Sequence, residues 1–390
     1  VVADDVVNVL VATGLYAPYV PGAKSDYEAP IIIGAPYRSP THVLAIVQEI
    51  ASGDYYAVWL LAGHAVAATT VLLTSAADNT TGTATVRNLT VSGQEVAVAL
   101  YNLTGATLTW TGDRVFASWT NGGGLFDEVG GAFDTAGDYL GWLLRLTSVE
   151  VDRGRVNAAR EALRAFRVGT YVDESVDVAD YIREAVLDIV PVSLAVGPRG
   201  VYPYVWRWDA TSNDAVAHLD TTEQGDVERD GLVTYEDADR IANTVQLLYQ
   251  WDPKTEAYGA EIWAVGDPSS RPRGLRFGGS TASLTRSYWS DPVLARSVAR
   301  YGVRRDSLET AIVADTLTAE HVLAWRSRRW ALPSRVVDYV CAQRWAWIEP
   351  GDLVTMTDPE LAWAKRLCLV QSRTWTLDGS VRYSLRVMEA

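Results

Sequence analysis

Residues 301–341 read YGVRRDSLETAIVADTLTAEHVLAWRSRRWALPSRVVDYVC, residues 347–363 read WIEPGDLVTMTDPELAW, and residues 365–390 read KRLCLVQSRTWTLDGSVRYSLRVMEA. The first stretch holds a helix over Thr318 to Leu332, stopped by Pro333. The segments after it alternate apolar with polar residues and break at Pro350-Gly351-Asp352 and Leu377-Asp378-Gly379, so they read as strands joined by turns. Within RWAWI, the spacing predicts Trp345 and Trp347 on one strand face, shared with Cys341. The stretch supplies no nucleophile, metal cluster or phosphate loop. It has the pattern of a structural module.

Working upstream, 244–252 (TVQLLYQWD) and 258–265 (YGAEIWAV) read as strands across Asp252-Pro253, within a β region from about Leu232 to Ile262. Ser290-Asp291-Pro292 caps a short helix running to about Arg300. PVSLAVGPRGVYPYVWRWD reads as two strands around a Pro-Arg-Gly turn. Ahead of it, helices are predicted over Phe133 to Leu146, Arg155 to Phe166 and Asp177 to Val190, the last stopped by Pro191. Tyr55 to Trp119 is rich in Thr, Val and Ala, with turn signals such as Asp78-Asn79 and Ser92-Gly93; this spacing means antiparallel sheet, as barrel or sandwich. Asp4 to Thr13 reads as a helix ended by Gly14, Ile31 to Ile33 as a buried strand, and Ser39-Pro40 as the start of a helix carrying Val43, Ile46, Val47 and Ile50.

At 390 residues the chain exceeds one ordinary core. The expected division is a β-rich N-terminal domain over 1–125, a helical α/β linker domain over 126–225, the first part of a second β-barrel over 226–285, and a helix with the closing strands of that barrel over 286–390. Apolar runs such as Ile31 to Ile33 and Val71 to Leu73 are too short to cross a bilayer, and no signal peptide is expected. The net charge of −14 argues against a phosphate-backbone ligand, which draws on clustered Lys and Arg. Cys341 and Cys368 lie in apolar strand patterns and read as small core residues. Fifteen Trp and 19 Tyr favour large interfaces, where a ring needs a polar partner at one edge. Trp206, Trp208, Trp251, Trp345 and Trp347 are the interface candidates.

Catalytic signatures are missing from the sequence. His42, His64, His218 and His321 lack companions at metal-ligand spacing, no Gly-x-Ser-x-Gly elbow occurs, and no Gly-rich run leads into Lys-Ser or Lys-Thr. No catalytic residue and no cofactor is expected. One segment competes for a cation: Asp226, Glu228, Asp230 and Asp237 fall at positions 1, 3, 5 and 12 of a calcium-loop spacing, with Gly231 at position 6. Asp replaces the bidentate Glu at position 12, and no convincing helix enters the loop. A hairpin turning at Asp230-Gly231 needs fewer coincidences and is preferred.

Three stretches in order carry a family likeness: Tyr181 to Trp208 (ending DIVPVSLAVGPRGVYPYVWRWD), Ile241 to Trp251 (IANTVQLLYQW), and Tyr301 to Val387. Together they resemble the tail hub proteins of tailed bacteriophages and gene transfer agents, over roughly the last two-thirds of the chain; Val1 to Trp119 match less well. The resemblance implies an α+β, β-rich fold: two tail-tube-like antiparallel β-barrel or sandwich domains with intervening helical α/β elements. It implies a homotrimer at the tail tip or baseplate of a virion assembled in the host cytoplasm. Its neighbours would be the distal tail protein, the tape measure protein and tail fibre or tip proteins. DNA would pass through without specific binding, along a bore where carboxylates outnumber Arg. The alternatives are another tail component, such as a distal tail ring or fibre adaptor, or a carbohydrate-binding or cell-wall-degrading tail protein.

Overall fold

The computed structural model describes residues 3–20, 29–108, 114–119, 133–207, 209–222, 226–236, 240–266, 285–377 and 379–388. Trp208 and Asp237 lie outside the described residues.

The chain begins with α1 (Ala3–Ala12) and continues through β1 (Tyr16–Val20), β2 (Ile31–Gly34), β3 (Ser39–Glu49), β4 (Tyr55–Ala62), β5 (Thr70–Ser75), β6 (Thr81–Val91), β7 (Gln94–Asn102) and β8 (Val115–Ser118). Strands pair in the order β3-β4-β7-β6-β5-β8, and β8 returns to β3, closing a six-stranded antiparallel barrel. β1 extends the β8 edge of β3 through Tyr16↔Glu49. Inside sit Trp59, Leu61, Val71, Leu73, Ala97, Ala99 and Ala117. On the outside, Val6, Val7 and Leu10 of α1 cover Val58, Leu60, Val96 and Val98. Burial on both faces explains why β4 and β7 read as continuous apolar runs. Ser92 (φ 51°) and Gly93 (φ 83°) form the two-residue turn between β6 and β7, whose left-handed conformation matches strand twist.

The helix expected from Ser39-Pro40 is instead β3. Its register slips between Val43 and Ala45 against β4, so the strand carries a bulge at Leu44. The extra residue breaks the two-residue alternation and leaves Val43, Ile46 and Val47 at spacings that imitate a helix.

The middle of the chain holds α2 (Ala136–Leu146), α3 (Arg153–Ala162), β9 (Gly169–Val172), α4 (Val178–Tyr181), a π turn over Ile182–Leu187, and the hairpin β10 (Val192–Gly197) with β11 (Gly200–Val205). Thr135, Asp152 and Asp177 cap the three helices with their side-chain oxygens. β2 lies outside the barrel sheet and pairs with β9, with Ile32 packed into the barrel core and Ile33 into the central core, tying the two regions together. Next come β12 (Ala217–Asp220), β13 (Val227–Arg229), β14 (Thr234–Glu236), β15 (Thr244–Asp252), β16 (Ala257–Val265) and β17 (Thr285–Ser290). The remainder is α5 (Pro292–Tyr301), β18 (Arg305–Glu309), α6 (Thr316–Trp330), β19 (Ser334–Cys341), β20 (Leu353–Asp358), β21 (Trp363–Trp375) and β22 (Val381–Val387).

These strands sort into two sheets that cut across the expected division of the chain. β15 and β16 form a mixed four-stranded sheet, β17-β16-β15-β18, which shares a core with α2, α5 and α6. Only β13 and β14 of the expected barrel segment 226–285 join the C-terminal sheet, ordered β12-β20-β21-β22-β19-β13. That sheet curls over Val337, Tyr339, Cys341, Val370, Tyr383 and Leu385 as an open half-barrel. The fold is therefore α+β and β-rich, with a closed barrel at one end of the chain and a half-barrel at the other.

The preferred hairpin at Asp230-Gly231 is also overturned. β13 and β14 do not pair with each other; both run antiparallel to β19, through Glu228↔Val340 and Tyr235↔Arg335. They are two pieces of one edge strand interrupted at Asp230 to Val233, and only Gly231, not Asp230, has positive φ, at 104°. RWAWI is not a strand either. β19 ends at Cys341 and a 3-10 turn over Gln343–Trp345 follows. The Tyr383 hydroxyl donates to the Trp345 carbonyl (2.7 Å) and the Arg373 guanidinium to the Ala346 carbonyl (3.0 Å), so side chains satisfy this turn where a ladder would have.

Cys341 and Cys368 are buried free thiols, as expected, and burial pushes both thiol pKa values up to about 12. A thiol reagent at mildly alkaline pH is expected to label neither until denaturant is added. Rapid labelling of the native chain would show that the half-barrel opens on the timescale of the reaction.

Candidate functional site

The last turn of α6 reads Trp325-Arg326-Ser327-Arg328-Arg329-Trp330. A helix carboxyl end bears partial negative charge from its unpaired carbonyls, so it favours this group of cations. Asp315 starts the helix by accepting from the Thr318 N–H (2.9 Å), and Pro333 follows its end. α5 lies alongside, capped by the buried Asp291. One Asp291 oxygen accepts from the Val293 N–H (2.8 Å) and the other from Arg328 (3.1 Å), so a single carboxylate orients both helices. Asn243, fully buried, fixes the far end of α5: it donates to Ser297 (3.1 Å) and to the Gly302 carbonyl (2.8 Å).

Between these helices and the half-barrel lies a cleft of about 370 Å3. Its wall on the hairpin side is Trp206, just beyond β11, whose indole N–H donates to Ser193 (2.9 Å). Arg329 and Arg386 approach the Trp206 ring with guanidinium carbons at 4.8 and 5.0 Å from its centroid. Arg329 also lies 5.0 Å from the Trp330 ring, which Arg326 covers at 4.2 Å and Trp325 meets edge-on at 5.4 Å. Cations and rings thus alternate from the half-barrel across to the helix layer, a stacked arrangement that suits the planar guanidinium. Among the described residues, Arg296, Arg328, Arg329 and Arg386 line the cleft together with Asp291, which pairs with Arg328. Leu332, Pro333 and Val293 make up part of its apolar wall.

A larger concavity, about 640 Å3, runs along α2 and α3, but its Arg160 is neutralised by Asp138 at 2.7 Å. Gly137 and Gly141 let those helices meet closely: a Cβ at Gly137 would stand 2.5 Å from the Arg160 Cα.

The other tryptophans singled out in the sequence are scattered. Trp251 is half-buried on β15 with its ring 5.2 Å from Tyr258. Trp345 donates from its indole to Asp226 (2.9 Å) and packs partly against the half-barrel core, whereas Trp347 is exposed. Of the calcium-spaced carboxylates, Asp226 and Asp230 are engaged by separate arginines, and Asp237 lies outside the described residues. Asp226 pairs with Arg344, whose hydrogen bond holds the Asp226 pKa below the ordinary carboxylate range, and Asp230 pairs with Arg382. Among the described residues no group of three or more His, Cys, Asp or Glu is placed to hold a metal. His64 is structural: its Nε2 accepts from the Ile32 N–H (2.9 Å) and its Nδ1–H faces the Ala65 carbonyl (2.8 Å).

Trp325, Arg296, Arg328, Arg329 and Arg386 were not singled out in the sequence. A signal existed in the WRSRRW run, where an Arg and a Trp four apart share a helix face. Arg386 gave none, because only the sheet pairing carries it to Trp206.

No family model matches the chain, and no curated protein matches it. Among solved structures it is similar to a tail protein from Neisseria meningitidis MC58, with 12% identity over 95% of this chain and 96% of that one and a TM-score of 0.34. It is similar to a chain from the virion of a native gene transfer agent particle, with 12% identity over 96% of this chain and 87% of that one and a TM-score of 0.48. A third similar structure is prophage tail protein gp18 from Listeria monocytogenes EGD-e, with 8% identity over 92% of this chain and 94% of that one and a TM-score of 0.31.

Proposed function

We propose that this chain is a structural protein of a phage-type tail, and that three copies form a hub at the tail tip. The observation that carries the reading is the arrangement of one closed barrel and one curled half-barrel in a single chain, with a helical α/β layer between them. That matches what the order of the three hub-like stretches implies. Three chains with two β units each present six such units around one axis, which suits a threefold tip meeting a sixfold tube. The connections between the units fit a load-transmitting part. Arg155 forks onto Glu349 (2.9 Å) and Asp352 (3.0 Å) while lying 5.2 Å from the Tyr202 ring centroid, so α3, the β10–β11 hairpin and the half-barrel are held at one point. In this reading the chain performs no catalysis, and its partners are further copies of itself, the distal tail protein, the tape measure protein and tail fibre or tip proteins. The net charge of −14 suits a bore that lets DNA slide without adhering.

Native mass spectrometry of the purified chain tests the stoichiometry. Three chains per particle is the expected result. Six would move the chain to a ring such as the distal tail protein forms, and a monomer at every concentration would remove the hub reading.

A further inference from the structure

We propose that His64 is an acid-released latch: its neutral imidazole holds β2 against the barrel, and protonation frees that edge of β2 and loosens the barrel from the central α/β layer. The latch stands independently of the hub assembly.

β2 is the strand the two regions share. Ile32 is packed into the barrel core and Ile33 into the central core, and both are fully buried. One edge of β2 pairs with β9. The other edge ends on loops: the Gly63 N–H donates to the Pro30 carbonyl (3.0 Å), the Ile32 N–H to Nε2 of His64 (2.9 Å), and the Gly34 N–H to the Phe133 carbonyl (3.0 Å). The imidazole thus stands where the carbonyl of a neighbouring strand would otherwise accept.

The partners fix the two ring nitrogens. A carbonyl only accepts, so Nδ1, 2.8 Å from the Ala65 carbonyl, carries the proton; a backbone N–H only donates, so Nε2 carries none. The loop that bears His64 is itself held to the barrel. Asn88 of β6 accepts from the Val66 N–H (3.0 Å) and donates to the Val66 carbonyl (2.8 Å), and Gln94 at the start of β7 donates to the Gly63 carbonyl (3.3 Å). The ring is therefore anchored on the barrel side, and β2 is the part that gives. Protonating Nε2 sets donor against donor and leaves the Ile32 N–H, on a fully buried residue, without its acceptor.

Burial holds the His64 pKa below its usual 6.5, opposed by the Ala65 carbonyl and by the charge of Glu95, exposed on β7. β2 brings the apolar Ile31 and Ile32, and β9 sets Tyr171 opposite Ile32, where burial pushes the phenol pKa up to about 12 and keeps it uncharged. The contribution of the latch is complete above about pH 6.5 and falls away as the pH drops toward the lower value of the folded chain. Arg38–Asp252 and Lys254–Ser75 also cross this joint, so acid loosens β2 without detaching the barrel. His42 on β3 is the second histidine here, half-buried, with its pKa lowered by burial against the opposing charge of Asp173.

Hydrogen exchange of the full-length chain, read by mass spectrometry over residues 30–34 and corrected for the intrinsic effect of pH, tests the latch. Between about pH 7.5 and about pH 5, wild type is expected to lose about tenfold in protection, with a midpoint below 6.5. His64→Gln offers a side-chain oxygen that accepts from Ile32 at any pH, and its protection is expected to stay level. His64→Asn supplies the same arm if the longer amide does not fold, and the wild-type midpoint needs no variant at all. Protection that holds in wild type down to about pH 4.5 would overturn the proposal. So would an acid loss that persists unchanged in His64→Gln, or one that His42→Gln abolishes.

Discussion

Gly34→Ala is expected to be among the most damaging single-methyl additions in the chain, costing about 3 kcal/mol or more. Gly34 ends β2 with φ at +60°, a conformation that costs an L residue about 1 kcal/mol. The larger cost is steric. A Cβ there would lie 1.8 Å from the Val168 carbonyl oxygen and 2.9 Å from its carbon. Both are backbone atoms of the strand connection that β2 pairs with, so no rotamer change relieves the clash. The Gly34 N–H also donates to the Phe133 carbonyl (3.0 Å), so shifting Gly34 would disturb the entry to α2 too. Gly93→Ala is the matched control: its φ is +83°, yet nothing lies within 4 Å of the added methyl, and only the conformational cost of about 1 kcal/mol should appear. Thermal melts of the two variants decide the matter. If Gly34→Ala falls no further than Gly93→Ala, the close approach of β2 to residue 168 is absent in solution.

The second large effect is expected at the joint between the barrel and the central sheet. Asp252 ends β15 almost fully buried, at 5% exposure, and accepts from Arg38 at the entry to β3. Its other oxygen accepts from the Lys254 N–H (3.0 Å), and the Lys254 ammonium in turn reaches the Ser75 carbonyl (2.9 Å) on β5. Asp252→Ala would leave the Arg38 guanidinium, only 19% exposed, without its carboxylate, at a cost of about 3–5 kcal/mol. Arg38→Met should cost about as much by stranding the carboxylate. The double variant should be markedly less damaged than the sum, because it removes both buried charges together. Limited proteolysis is the most direct readout, since loss of the joint should open the contact between the barrel and the central sheet to cleavage before either region melts. Strictly additive losses in the double variant would mean that Arg38 and Asp252 act independently.

Local chemistry made much of this fold legible. Asp291-Pro292 and Gly302 bracket α5, Pro333 follows α6, Ser92-Gly93 turns β6 into β7, and Pro198-Arg199 joins β10 to β11. Each depends on residues within one turn of one another, so the sequence contains the whole cause. The α+β, β-rich character followed from the same signals summed along the chain. Where the reading failed, the cause lay elsewhere in the chain. The bulge in β3 makes sense only against β4, and Asp230-Gly231 interrupts an edge strand only because β19 offers a partner to both pieces. An isolated Asp-Gly would turn the chain back on itself; β19 supplies more hydrogen bonds to keep it straight.

The candidate site divides along the same line. Trp206 could be singled out as a large ring with a polar edge, and the arginines of α6 were present as a run. The sequence by itself determined which segments are helices capped by Asp or ended by Gly and Pro, where the tight turns fall, and that the chain is acidic with few catalytic signals. Only the tertiary structure decided that β15 and β16 leave the half-barrel for a sheet of their own, and that Arg386 of β22 meets Trp206, from beyond β11, and Arg329 of α6 at one cleft. The physical reason is range: caps and turns are settled by neighbours a few residues away, whereas strand partners and stacked cations are settled by burial among residues tens to nearly two hundred positions apart.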